Sequence, residues 1–224
     1  VTAGLETAKQ AGVPVFGMDA GASPLLVANV TSNGYEMAAV TATYVVNRIG
    51  AKGGVVEFVF DAFPPVQVRG VVADAIFKNN PDIKIIEPEL AEAFANAPED
   101  ARKKTRDLLT QYPKGTLDAI HVGCWDQPAI GVVQALQEAG RTEIKVTAVD
   151  AGPDTLEIIA EKNSPFVANV AQQPHKIGAT AATNVARYFA GQHLQAQTFV
   201  DVIPVNGAEQ AKAVYKQLGY GELK

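Results

Sequence analysis

Four apolar runs in this sequence end in aspartate: Val13–Met18 in Asp19, Val55–Phe60 in Asp61, Ala119–Trp125 in Asp126, and Ile144–Val149 in Asp150. Two further runs end near amides, at Asn33 and Gln172. Aromatic residues lie beside them at Phe60, Phe63 and Trp125, with Gln67 and Arg69 close behind. Carboxylates accept hydrogen bonds from hydroxyls, amides donate and accept, and the C–H face of a sugar ring stacks on an aromatic. Arg69 can donate to ring or hydroxyl oxygens. The set suits a neutral, polyhydroxylated ligand. Helix capping is the competing account of any single aspartate, most of all Asp126, two residues before Pro128. It is a poorer account of the whole group.

Other chemistries find little support. The sequence holds no GxSxG elbow, no Walker loop and no strand-linked GxGxxG. No Asp-x-Asp follows a strand, as a magnesium site for phosphoryl transfer would favour. One cysteine, Cys124, and three scattered histidines give no metal-ligand spacing. The expectation is therefore a protein that is not an enzyme, with no catalytic residue, no metal and no cofactor. A net charge of −5 argues against nucleic acid as a partner. The basic run Arg102-Lys103-Lys104 with Arg106 reads as a solvated helix face. No apolar run reaches the length of a membrane span, and no signal peptide is visible.

Elements that would position these groups alternate from end to end. Strands are expected at Val13–Met18, Leu25–Val30, Gly54–Phe60, Ile83–Ile86, Ala119–Cys124, Ile144–Val149, Pro165–Val170 and Phe199–Val205. Helical patterns fill most of the intervals, and the alternation predicts parallel sheets with crossover helices. In such a sheet the carboxyl ends of the strands share one edge, where ligands bind. There is also an internal echo. Val27-Ala-Asn-Val30 recurs as Val167-Ala-Asn-Val170 at an offset of 140 residues, and Ala39, Ala42, Thr43 and Val45 match Ala179, Ala182, Thr183 and Val185. Chance among common residues is one account, and two equivalent segments of a pseudo-symmetric protein is the other.

The ordered set Val13–Asp19, Val27–Asn33 with its helix, Gly54–Phe60, a Gln-x-Arg-Gly helix start at Gln67, Gly123-Cys-Trp-Asp-Gln-Pro-Ala-Ile-Gly131, Val146–Asp150 and Ala171-Gln-Gln-Pro174 resembles the type I periplasmic solute-binding proteins. The nearest branch is that of the ribose- and galactose-binding proteins of sugar ABC transporters. The resemblance implies an α/β fold of two Rossmann-like lobes, each a doubly wound parallel sheet, joined by three crossover strands with the ligand between them. It implies residues 1–33 plus 173–200 as the remnant of the N-terminal lobe, and residues 34–172 plus 201–224 as the C-terminal lobe. Val27–Asn33, Val167–Gln173 and the strand near Val202–Val205 would be the crossings. Asp19 would be the first-lobe carboxylate that binds sugar hydroxyls, and Asp150 its second-lobe counterpart. Gln172 would be the polar residue of the returning crossover, and Ser32 or Asn33 that of the first.

Two departures bear on the ligand. Members of the family place an arginine where Gln67 stands, while here Arg69 directly precedes Gly70. They also have asparagine where Trp125 stands. A clamp and an amide become an amide and a large aromatic, which points away from ribose toward a ligand with more apolar surface or another hydroxyl pattern. The expected ligand-binding residues are therefore Asp19, Asn33, Phe63, Gln67, Arg69, Trp125, Asp150 and Gln172. A third departure is that three βα units of the family's first lobe have no counterpart before Val1, so the sequence is expected to be a fragment with a truncated first lobe. The function implied is that of an ABC transporter substrate-binding protein in the periplasm. It would be a monomer when full length, deliver a sugar or polyol to a permease, and leave a chemoreceptor partner open. The effector-binding core of a lactose-repressor-like transcription regulator shares the fold and is the alternative.

Overall fold

Short apolar strands alternate with helices, five of which carry proline in their first two positions. The computed structural model describes residues 2–86, 90–91 and 94–223. The chain begins with α1 (Thr2–Gln10), β1 (Phe16–Met18), β2 (Ala28–Ser32), α2 (Gly34–Arg48), β3 (Gly53–Val59) and α3 (Pro64–Lys78). It continues through β4 (Ile83–Ile85), β5 (Leu90–Ala91), α4 (Ala97–Gln111), β6 (Ala119–Val122), α5 (Gln127–Glu138) and β7 (Lys145–Ala148). It ends with α6 (Pro153–Ala160), β8 (Phe166–Ala171), α7 (Pro174–Phe189), β9 (Gln197–Val200), β10 (Ile203–Asn206) and α8 (Ala208–Gln217). Proline takes the first or second position of α3 through α7. Its missing N–H would have no intrahelical acceptor there, and its fixed φ already suits a helix.

The chain forms two compact units. Unit 1 comprises Val1–Asn33 with Gln172–Val202, and unit 2 comprises Gly34–Ala171 with Ile203–Lys224, so the chain passes between them three times. Unit 1 holds a three-stranded parallel sheet in the order β1-β2-β9. Ile177 and Ala181 of α7 pack on Val30 and Val200 to form its small core. Helix α1 buries none of its residues.

Unit 2 holds the larger sheet, in the order β10-β8-β7-β6-β3-β4, with β5 also on β3. Its central strands are apolar nearly throughout, as strands covered on both faces must be. One face packs on α4, α5, α6 and α8 through residues such as Phe58, Ile120, Leu136, Leu156 and Val214. The other packs on α2 and α3 through Val45, Val55, Ala73 and Phe77. Helices α4 and α5 approach closely at Gly131, where a Cβ would lie 1.7 Å from the Pro98 carbonyl oxygen.

A polar row crosses this core. Glu57, His121 and Thr147 stand opposite one another on β3, β6 and β7, and all three are buried. His121 Nδ1 lies 2.9 Å from Thr147 Oγ1, and its ring meets Phe77 edge-on at 5.6 Å. Burial holds the imidazole down at about 4, and so neutral near pH 7.

The architecture is the expected α/β one, with three differences. The single strand expected at Phe199–Val205 is two strands in two sheets, β9 in unit 1 and β10 in unit 2, separated at Asp201-Val202. Strand β10 runs antiparallel to β8, so unit 2's sheet is parallel except at that edge. Strands β1 and β2 also begin later than expected, at Phe16 and Ala28. Pro14 supplies no N–H for pairing, and the segment before β2 opens with the turn in which Leu26 N–H donates to Ser23.

Candidate functional site

In unit 1, Asp19 follows the last residue of β1 with φ 53°. Its N–H donates to the Val30 carbonyl at 2.7 Å, and its Oδ1 accepts from the Thr31 hydroxyl at 2.6 Å. Buried Asn29 donates to the Ala20 carbonyl at 2.7 Å, which braces the turn just beyond Asp19. Asn33 follows β2 directly and is half-buried, as is Gln172, which begins the unit's second segment. The next residue, Gln173, donates to the Asp201 carbonyl at 2.7 Å.

Unit 2 repeats the arrangement. Asp150 follows β7 with φ 105°, and its N–H donates to the Val170 carbonyl at 2.9 Å. Val30 and Val170 are equivalent positions of the Val-Ala-Asn-Val echo, and so are the buried asparagines Asn29 and Asn169. Asn169 Nδ2 reaches Thr155 Oγ1 at 3.4 Å, beyond the Asp150 turn. The echo is therefore structural. In each unit it brings an aspartate to the end of the neighbouring parallel strand, on backbone that side chains other than glycine rarely adopt. Holding such a residue costs about 1–3 kcal/mol, and strain of this kind collects at functional sites.

Of the residues expected in unit 2, Arg69 is paired with Asp150, in a role that differs from the one the sequence suggested. Arg69 is not an open donor. It is 3% exposed, with Nη1 3.1 Å from Asp150 Oδ1 and donating to the Cys124 carbonyl at 2.6 Å. It neutralises Asp150 and ties α3 to the end of β6. Gln67 lies two residues earlier on α3 and is exposed. Trp125, next after Cys124, is half-buried, with its ring centroid 5.2 Å from Phe60 in an edge-on contact. It packs against the core from the rim. Phe63, the N-cap of α3, is 48% exposed and sits 5.2 Å from Phe60. Phe94 closes the group at 5.8 Å from Phe63 and 5.9 Å from Trp125. Phe94 belongs to no periodic pattern, so nothing in the sequence singles it out.

Asp126 also departs from expectation. It occupies the N-cap position of α5 yet makes no capping bond there. Its Oδ2 instead accepts from the Gly152 N–H and, at 2.7 Å, from the Thr155 hydroxyl, both at the start of α6. Burial pushes its carboxyl up to about 6, with the nearby charge of Asp150 adding to the effect and the bonds from Thr155 and Gly152 opposing it. Among the described residues no group of three histidine, cysteine, aspartate or glutamate side chains is placed to hold a metal ion. No helix among them is long and apolar enough to cross a membrane.

Comparison with known proteins gives a consistent picture. The model of the periplasmic binding protein domain matches residues 1–193. An ABC sugar transporter subunit from Rhodobacter sphaeroides has a similar structure, with a TM-score of 0.86 and 39% identity, covering 91% of this chain and 72% of the other. An ABC transporter solute-binding protein from Agrobacterium vitis, solved with bound allitol, has a TM-score of 0.89 and 36% identity, covering 96% of this chain and 73% of the other. A xylitol-binding protein of Mycolicibacterium smegmatis is 28% identical over 164 residues, which is 72% of this chain and 45% of the relative. The chain thus spans about half the length of that relative. All three are binding or transport proteins by name.

Proposed function

The chain belongs to the periplasmic binding protein domain family, and we propose that it acts as the substrate-binding protein of an ABC transporter, taking up a sugar or polyol in the periplasm and delivering it to the permease. The observation that carries this reading is Asp150. It sits on strained backbone, ion-paired to a buried arginine that also donates to the Cys124 carbonyl, and the next residue, Trp125, belongs to a group of four aromatic rings. An ion pair presents hydrogen-bonding groups with little net charge, and aromatic faces accept C–H surface. That combination favours a neutral hydroxylated ligand over a phosphate or a carboxylate.

In this proposal unit 2 contributes Asp150, held in place by Arg69, and Gln67 as polar groups, with Phe63 and Trp125 as the stacking surface. Unit 1 contributes Asp19, Asn33 and Gln172. A ligand that touches both units only in a closed form would shift the population toward that form, and the permease would read the change. The protein would work as a monomer. Allitol and xylitol, the molecules named for two relatives, are the first to try, followed by pentoses and hexoses. A thermal-shift screen on the full-length protein tests the reading. A ligand at about a hundred times its Kd should stabilise the fold by about 2.7 kcal/mol. If no pentose, hexose or polyol raises the melting temperature, the proposed function is wrong.

A further inference from the structure

Asp126 lies outside the expected ligand set, yet its carboxylate is 5% exposed and joins two strand ends of unit 2. It stands beyond the end of β6, and the two groups that donate to it, the Gly152 N–H and the Thr155 hydroxyl, stand at the start of α6, beyond β7. Gly152 is the second residue after Asp150, and a Cβ there would lie 3.1 Å from Asp126 Oδ2. A side chain at this position would crowd the carboxylate, which would have to give by a few tenths of an ångström. Thr155 is held in turn by the Gly152 carbonyl at 2.9 Å and by Asn169 at 3.4 Å. Between them, Asp150 and Ala151 take φ values of 105° and 53°. A two-residue stretch of left-handed backbone is costly, and it persists only where its surroundings hold it.

We infer that Asp126 is a positioning residue, whose carboxylate holds the 150–152 turn in the left-handed conformation that presents Asp150 to the ligand. A carboxylate is strongly suited to this, because it accepts a backbone N–H and a hydroxyl at once through charge-assisted bonds. The side chain leaves the helix it begins, α5, uncapped in order to cap the start of α6. The groups that face it are Asp150 from the β7–α6 turn and, beyond Asp150, Arg69 from α3, which offsets the Asp150 charge. The inference rests on Asp150 as a ligand group only for its effect on affinity. Its effect on the turn stands without any ligand.

The test uses the full-length protein and two readouts. The first is amide hydrogen exchange without ligand. Asp126→Ala should speed exchange at Gly152 roughly tenfold or more while β3 and β6 keep their protection, because one charge-assisted bond is lost locally. Asp126→Asn, which keeps an acceptor oxygen, should restore most of that protection. Unchanged exchange at Gly152 in Asp126→Ala overturns the inference, as does a uniform loss of protection through unit 2 in both variants. The second readout is affinity for allitol, or for xylitol if that binds more tightly. Asp126→Ala should weaken binding roughly tenfold in the wild-type background and have little effect in Asp150→Ala. A full effect in both backgrounds overturns the inference. If Asp150→Ala itself leaves affinity unchanged, the functional reading of Asp150 fails, while the exchange result still decides the role of Asp126.

Discussion

Acidification sets two buried groups of unit 2 against each other. His121 is held at about 4 in the fold against 6.5 ordinarily, so the unfolded chain takes up its proton more readily. Its share of stability is intact above about 6.5 and is lost as the pH falls toward 4. Asp126 behaves in the opposite sense. Its folded value is about 6 against 3.8, so the folded chain takes up the proton more readily, and stability is gained as the pH falls through 6 toward 3.8. Between about pH 7 and about pH 4.5, linkage gives a loss of about 2 kcal/mol from His121 and a gain of about 2 kcal/mol from Asp126. In the wild type these changes nearly cancel. Asp126→Asn removes the gain and should lose about 2 kcal/mol more than wild type over that interval. His121→Gln, neutral throughout, should lose about 2 kcal/mol less than wild type. Urea unfolding followed by Trp125 fluorescence at the two pH values measures the difference from within unit 2. Other carboxylates are common to all three proteins and drop out of the comparison. If the three proteins show the same pH dependence, neither group titrates as its burial requires.

Gly131→Ala places a methyl against the Pro98 carbonyl oxygen, at a point where ideal geometry leaves 1.7 Å. Helices α4 and α5 must separate, and urea midpoints should fall by the equivalent of about 1–3 kcal/mol. Arg69→Met keeps much of the volume but leaves Asp150 and the Cys124 carbonyl without their buried donor. Because the Asp150 side chain is 27% exposed, water offsets part of the cost, and a loss of about 2 kcal/mol is expected in the same assay. Trp125→Ala removes an aromatic face from the rim, and calorimetry should show the bound sugar or polyol weakened roughly tenfold.

The parts of the fold legible in the sequence are those that depend on burial along a single strand. Val55–Phe58 and Ala119–Val122 are apolar except at Glu57 and His121 because both faces are covered, and exposed Asp61 marks where that cover ends after the first of them. The Val-Ala-Asn-Val echo was legible as a pattern, and its meaning lies in Asn29 and Asn169, which brace equivalent turns. What escaped depends on direction and on partners distant in sequence. Nothing in Phe199–Val205 distinguishes one strand from two in separate sheets, because the break at Asp201-Val202 lacks glycine and proline. Asp126 looks like a cap for its own helix, and only the tertiary structure turns its carboxylate toward α6. Arg69 looks like an open donor until Asp150 is placed beside it. The polar row of Glu57, His121 and Thr147 joins residues of three strands that only their register brings level.

In the proposed function, Asp19 and Asp150, one from each unit, bind the hydroxyls of a neutral sugar or polyol. Isothermal titration of the full-length protein with the tightest ligand of the screen tests it most directly, with Asp19→Ala and Asp150→Ala measured beside the wild type. Each variant should lose about 1.5–3 kcal/mol, or roughly ten- to a hundred-fold in affinity, the worth of a charge-assisted hydrogen bond. Affinity unchanged in both variants would contradict the account.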